Sequence, residues 1–180
     1  MRQLVMATAL LIACSAAYGA EQCADASTLD EKNGFRDARF GAPLSSFLNM
    51  RQTEQEQYRT KTVKAYERET DDLNVFGQRV SHIIYYFFKG KLFLVRLEWS
   101  DDAAGSAVID GFGRALACAP RQISSGPATT KFIRARGKSV SLEARHSRVA
   151  SVFIGWVMIE LNGSERAIST QVRHEASSQF

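Results

Sequence analysis

Two apolar runs that meet at Lys89 and Gly90 dominate the middle of the sequence, in the stretch VSHIIYYFFKGKLFLVRLEW from Val80 to Trp99. Val, Ile, Tyr, Phe and Trp are the residue types that suit a pleated, half-buried surface. Glycine at the junction supplies the positive φ that a two-residue turn requires. We therefore predict a β-hairpin whose turn residues are Lys89 and Gly90.

The turn position fixes the expected faces of this hairpin, because side chains alternate sides along a strand. The expected cross-strand pairs on one face are Phe88 with Lys91, Tyr86 with Phe93, Ile84 with Val95, His82 with Leu97 and Val80 with Trp99. This face is almost wholly apolar, so we expect it to form the main core. The other face carries Arg96 and Glu98 at its open end.

The remaining segments predict an α+β domain. Short helices are expected from Pro43 to Met50, where apolar residues recur at helical spacing after a proline, and from the Ser100-Asp101-Asp102 cap to Pro120. Strands are expected at 35–40, 60–68, 131–135, 139–145 and 151–161, with a loop at 124–130. The predicted architecture is an antiparallel sheet with two helices packed on it, built as two helix-plus-three-strand halves.

The N-terminus has the pattern of a secretory signal peptide: Arg2, an apolar run from Leu4 to Ala13, and small residues through Ala20. Cleavage after Gly19 would release a soluble protein, periplasmic or secreted. Alternatively, Leu11-Ile12-Ala13-Cys14 resembles a bacterial lipobox, which would make Cys14 the lipidated first residue of an outer-membrane lipoprotein. The expected organisation is a signal peptide over 1–20, an N-terminal arm over 21–34, one domain over 35–164 and a flexible tail over 165–180. No later stretch is long enough for a transmembrane span.

The cysteine count agrees with export. Cys23 and Cys118 remain after processing, and an even pair in an oxidising compartment predicts a disulfide. The alternative is two free buried thiols.

The segment from Arg121 to Arg148 is the strongest surface signal, since it carries seven basic residues and one acidic residue, Glu143. The candidate binding residues are Arg134, Arg136, Lys138, Arg145 and Arg148. In the cell envelope, an acidic protein or an anionic envelope component is the natural counterpart of such a patch. A nucleic-acid ligand is not expected, because stacking aromatics at regular intervals are missing. The alternative is a basic face that only interacts with solvent.

No catalytic, metal or cofactor motif stands out. His82 is expected on the core face of the hairpin, His146 as an exposed residue near Glu143, and His174 in the tail. The pairs Asp71-Asp72 and Asp101-Asp102 fit turn and helix-cap roles better than a cation site. We expect no catalytic residues, no metal site and no cofactor.

The order FRDARFG, a short helix, VSHIIYYFFKGKL, a helix and GKSVSLEAR resembles a loosely defined group of small exported bacterial α+β proteins. They share an F-R-x-x-x-F-G start and a Y-x-F-x-x-G-x-L hairpin, and the resemblance covers residues 35–161. The chain departs from the pattern at Arg134-Ala135-Arg136, where an aromatic residue is expected before the Gly-Lys turn. The resemblance implies an exported α+β domain and no particular activity.

The sequence thus predicts a non-catalytic periplasmic or envelope protein that binds another envelope component through a basic surface. The alternative is an inhibitor or immunity-type protein that binds a secreted enzyme. A small hydrolase with His82 at its centre is the least favoured class.

Overall fold

The structure, a computed structural model, describes Cys23 and residues 26–54 and 62–177. The predicted signal peptide, and Cys14 within it, lies outside the described residues. The fold is α+β, with a large antiparallel sheet and few helices, as predicted. No helix of the described part is long and apolar enough to cross a membrane.

An eight-stranded antiparallel sheet forms the body of the protein, in the order β3-β4-β7-β8-β12-β11-β10-β9. Its strands are β3 (Met50–Thr53), β4 (Val63–Arg68), β7 (His82–Phe88), β8 (Lys91–Trp99), β9 (Arg121–Ser125), β10 (Ala128–Arg136), β11 (Val140–Val149) and β12 (Val152–Leu161). Two small ribbons lie outside it, formed by β1 (Gly34–Phe35) with β2 (Ala38–Arg39) and by β5 (Asn74–Val75) with β6 (Gln78–Arg79). The helices are α1 (Ser27–Lys32), α2 (Asp102–Ala115) and α3 (Ser164–Ser177).

The predicted hairpin is β7 and β8, with Lys89 and Gly90 at the turn in positive φ. Its register differs from the prediction. Phe87 pairs with Leu92 but Tyr86 pairs with Leu94, so Phe93 is an extra residue that forms a β-bulge.

The bulge reverses the face that β7 presents to the main core. Val80, Val95, Leu97 and Trp99 lie in that core as expected, but β7 contributes Ile83, Tyr85 and Phe87. Ile84, Tyr86 and Phe93 lie in a second cluster on the opposite face, and their placement in the main core was wrong. Arg96 and Glu98 remain outside the main core and form an ion pair of 2.7 Å.

Helix α2 covers the main face and begins where the sequence predicted. The Asp101 carboxylate accepts the N–H of Ala104 at 2.7 Å and caps the helix. The helix backbone approaches its neighbours closely because it carries glycines: a Cβ at Gly105 would collide with the Trp99 indole, and a Cβ at Gly111 with the Phe76 ring.

Helix α3 covers one end of the second face, where Ile168 packs with Ile84, Tyr86 and Leu94. The flexible tail predicted from residue 165 is instead a helix. Ile168 is the buried apolar residue of this packing. The rest of the segment is mostly polar, and only Val172 repeats Ile168 at helical spacing, which gave little indication of a packed helix.

Cys23 and Cys118 lie in disulfide geometry, with their Cα atoms 5.3 Å apart. The pair joins the segment before α1 to the segment after α2. Helix α1 is also attached through Asp30, whose carboxylate accepts the backbone N–H groups of Lys138, Ser139 and Val140 at 2.7–3.0 Å. The N-terminal helix is therefore fastened both to α2 and to the β10–β11 turn.

Several element predictions need correction. The first expected helix is only a 3-10 turn at Leu44–Ser46, and Leu48 is exposed. The expected loop at 124–130 is the end of β9, a turn at Gly126-Pro127 and the start of β10. The strand expected at 35–40 is the β1–β2 ribbon. The two-helix count and the helix-plus-three-strand halves are therefore not confirmed.

Candidate functional site

The part of the second sheet face that spans β9 to β12 presents a row of alternating arginine and aromatic side chains. Cross-strand pairing places Arg121 beside Phe132, Phe132 beside Arg145, and Arg145 beside Trp156. The neighbouring residues Ile133, Ala144 and Val157 point into the main core, so this row points away from it. Both arginines are exposed and both aromatic residues are half-buried.

Exposed aliphatic side chains border this row. The next row on the same face consists of Ile123 on β9, Thr130 on β10, Ser147 on β11 and Ile154 on β12, which are paired in that order. Ile154 is 67 % exposed and Val152 61 %, and Ile123 and Val149 are also exposed. We use the name open face for six residues taken from these two rows: Arg121, Ile123, Phe132, Arg145, Ile154 and Trp156. An apolar surface of this kind, bordered by polar groups, is typical of an interaction site.

The predicted basic cluster is divided by the fold. Arg134, Arg136 and Arg145 lie on the same side of the sheet as the open face, and Arg134 forms an ion pair with Glu143 at 3.1 Å. Lys138 lies in the β10–β11 turn, where its backbone N–H donates to Asp30. Arg148 is on the opposite face, paired with Asp102 at 3.1 Å. Three of the five predicted arginine and lysine residues therefore share a surface.

His82 is exposed at the open end of β7, and its expected burial on the core face was wrong because of the bulge. Its Nδ1 atom lies 2.6 Å from Glu67 Oε1, and Glu67 also pairs with Arg51 at 2.6 Å. The side chain of His82 is 51 % exposed. This His–carboxylate pair lies on the sheet surface, where water screens its interactions.

His146 is buried, contrary to the exposed position expected from the sequence. Its Nδ1 accepts the Trp99 Nε1–H at 3.1 Å, and its Nε2 lies 2.6 Å from Asp102 Oδ1. Indole nitrogen can only donate, so the ring proton of neutral His146 is on Nε2 and is donated to Asp102. The hydrogen bond from His146, with the nearby Arg148 guanidinium, holds the pKa of the Asp102 carboxyl below its usual range.

This buried chain borders a polar cavity of about 200 Å³ that also contains Ser106 and Lys131. Lys131 Nζ donates to Ser106 Oγ at 3.0 Å and pairs with Asp110 at 2.7 Å. A serine nucleophile requires a neighbouring base. The ammonium group of Lys131, paired with Asp110, is not such a base, and the Nδ1 lone pair of His146 already accepts the Trp99 N–H. The geometry therefore holds Ser106 as a hydrogen-bond acceptor.

The aspartate pairs have separate structural roles. Asp71 accepts the Tyr85 hydroxyl at 2.7 Å, and the Asp72 carboxylate accepts the N–H of Asn74 at 2.8 Å. Asp101 caps α2 and Asp102 binds His146. Among the described residues, no group of three or more His, Cys, Asp or Glu side chains is arranged to hold a metal ion. The His174 side chain is outside the described part.

Sequence reasoning missed Trp156, Ile154 and Ile123 as members of a surface. The run from Ser151 to Leu161 is apolar at nearly every position, which is typical of a strand covered on both faces. The two faces of β12 can be told apart only from its partner strand. On β11, the apolar Leu142 and Ala144 alternate with the charged Glu143 and Arg145.

No protein-family model, curated protein or solved structure matches this chain. The resemblance to small exported bacterial proteins accordingly stays a prediction.

Proposed function

We propose that this protein is a non-catalytic binding protein of the bacterial cell envelope that recognises an acidic protein surface through its open face. The observation that carries the proposal is the row of Arg121, Phe132, Arg145 and Trp156 with exposed isoleucines beside it. The row spans four adjacent strands, so a partner meets it as one continuous surface.

The residue types favour a protein partner. Trp and Arg are enriched among the side chains that contribute most to protein–protein binding, and aromatic side chains are enriched at interface centres. The half-buried ring of Phe132 lies between Arg121 and Arg145, and the half-buried ring of Trp156 lies beyond Arg145, between it and Glu98 of β8. Arg145, and Arg136 farther along the same side, add positive charge that steers acidic partners to this surface.

The edge of the sheet extends this surface. β9 is an edge strand of the eight-stranded sheet, and all five of its residues are exposed. An extended segment of a partner can add to such an edge through backbone hydrogen bonds. Ile123 lies on this strand, so edge pairing and side-chain contact would involve the same surface.

Two further observations support the location and the absence of catalysis. The Cys23–Cys118 pair in disulfide geometry agrees with an oxidising compartment. Among the described residues, Lys131 is engaged by Asp110 and His146 by Trp99 and Asp102, while His82 pairs with Glu67 on the exposed sheet surface.

The test uses a photo-crosslinking amino acid at Ile154, with the same group at Leu48 as a control, since Leu48 is exposed elsewhere on the protein. Envelope fractions are irradiated, and the crosslinked protein is then purified and titrated against the unlabelled chain. We expect an acidic protein that crosslinks at residue 154 only, with an affinity that falls as salt concentration rises.

Two variants, Arg145→Glu and Trp156→Ala, test whether the open face makes the contact. Lys64→Glu is the matched charge reversal, on an exposed residue of β4. Loss of about tenfold or more in affinity is expected for each of the first two and none for the third. Equal capture by all variants would refute the proposal. So would binding to anionic vesicles that depends on Arg145 without any crosslinked protein. If the captured protein is a secreted enzyme whose activity falls on binding, this protein is an inhibitor of that enzyme.

A further inference from the structure

A second surface feature lies on the opposite face of the sheet. It is a cleft of about 470 Å³ between α1, the two ribbons and the last turn of α2. This volume is within the range of small-molecule sites. The floor is formed by Leu142 and Ile159 of the sheet, and the walls include Leu29, Phe112 and Leu116. An apolar group could therefore enter it and be removed from water.

The rim of the cleft is basic. Lys32, Arg36 and Arg39 all line it, and none of the described lining residues is acidic. None of the three forms an ion pair with a described residue. Instead, Arg36 donates to the carbonyl oxygens of Asp72 and Asn74, the latter at 2.7 Å, and Arg39 donates to the carbonyl oxygens of Glu31 and Lys32. These bonds hold both guanidinium groups at the rim without a direct carboxylate partner, although the positive charge of Arg36 also acts on Asp71, whose pKa it lowers against the effect of burial.

Two side chains at the cleft are held by unfavourable backbone conformations. Phe76 lies at φ 52° in the turn of the β5–β6 ribbon, and Arg36 lies at φ 56° in the turn of the β1–β2 ribbon. Asn or Gly is the usual residue at such positions, and bulky residues there are uncommon. Strained residues of this kind cluster at ligand sites.

The Phe76 ring has a defined place despite this strain. It packs edge-on against Phe112 with the ring centres 5.0 Å apart, and it lies over the α2 backbone at Gly111. Phe76 is nevertheless 46 % exposed. An exposed, strained aromatic that walls an apolar cleft is better explained by contact with a ligand than by core packing.

We propose that this cleft binds an amphipathic anion, a molecule with an apolar body and a carboxylate or phosphate head group. The apolar body contacts Leu142, Ile159 and Phe76, and the head group lies at the rim beside Lys32, Arg36 and Arg39. The site is independent of the open face, because the two lie on opposite sides of the sheet. Failure of one proposal leaves the other intact.

Calorimetric titration of the full mature chain tests this, with dodecanoate and dodecyl phosphate as the two anionic probes. Dodecanol and dodecyltrimethylammonium carry the same apolar chain without the negative charge, and inorganic phosphate carries a head group alone. We expect saturable one-to-one binding of at least one anion and affinities at least about tenfold weaker for the uncharged and cationic analogues. The tighter of the two anions identifies the head group.

Three variants locate the binding. Lys32→Glu reverses a rim charge, and Ala115→Trp fills the cleft from the exposed last residue of α2. Lys64→Glu is the matched reversal elsewhere. We expect about tenfold weaker anion binding for the first, no measurable binding for the second, and no change for the third. Thermal unfolding confirms that each variant is folded.

The proposal is refuted if neither anion binds the folded wild-type chain. It is also refuted if the cationic amphiphile binds as tightly as the anions, or if Ala115→Trp binds them unchanged.

Discussion

Reduction of the Cys23–Cys118 bond should lower stability by an amount that follows from the loop it closes. The two residues are 95 positions apart, so the bond restricts more than half of the chain in the unfolded state. In the chain-entropy account, a cross-link of this span stabilises the folded state by about 4.7 kcal/mol. With a urea m-value of about 2 to 3 kcal/mol per molar, the denaturation midpoint should fall by about 2 M.

The assay is urea unfolding with and without reductant, followed by tryptophan fluorescence, since Trp99 is buried in the core. The m-value should rise on reduction, because an unfolded chain without the cross-link exposes more surface. The control is the double variant Cys23→Ser/Cys118→Ser, which should match the reduced wild type and should not respond to reductant. An unchanged midpoint on reduction, or a double variant as stable as the oxidised protein, would refute the reasoning.

Three further changes test individual contacts. Gly105→Ala should destabilise by about 1 to 3 kcal/mol in urea unfolding, because the added Cβ collides with Trp99, although alanine is the better helix former. A stabilised variant would contradict the close packing. Burial raises the pKa of the Glu160 carboxyl despite the hydrogen bond from Ser164, so the folded state favours the protonated form and loses stability as pH rises through the folded pKa. Glu160→Gln should therefore raise the melting temperature near pH 7, and this gain should disappear below the unfolded pKa. The backbone N–H of Ser139, followed by those of Lys138 and Val140, lowers the pKa of Asp30, so its stabilisation is present above the unfolded pKa and is lost as pH falls through the folded pKa. Asp30→Asn should lower the melting temperature at neutral pH and converge with the wild type in acid.

The sequence predicted the parts of the fold that depend on local pattern. The turn at Lys89-Gly90, the cap at Asp101 and the pairing of Cys23 with Cys118 each follow from residue type and spacing. The β-bulge at Phe93 could not be predicted in this way. An extra apolar residue in a strand that is apolar on both faces does not change the hydrophobic pattern of the sequence. That one residue accounts for the wrong burial of His82.

The candidate surfaces were harder to predict because they depend on strand order. The sequence located Arg134, Arg136 and Arg145 in a basic segment, but only the register aligns Arg145 with Trp156. The cleft has no local signal, since its lining comes from five separate segments of the chain. What the sequence did contain was Phe76 before Gly77, an aromatic residue where a polar one is usual in a tight turn.

The glycines of α2 carry a consequence for the order of folding. A 14-residue helix is marginal alone, and each glycine makes it less favourable by about 1 kcal/mol relative to alanine. This helix should therefore form only when the strands beneath it are already paired. Substitution of exposed Ala103 by glycine should speed unfolding and leave the refolding rate nearly unchanged, a φ-value near zero. The Trp99–His146–Asp102 chain and one wall of the cleft would then be the last parts of the molecule to be completed.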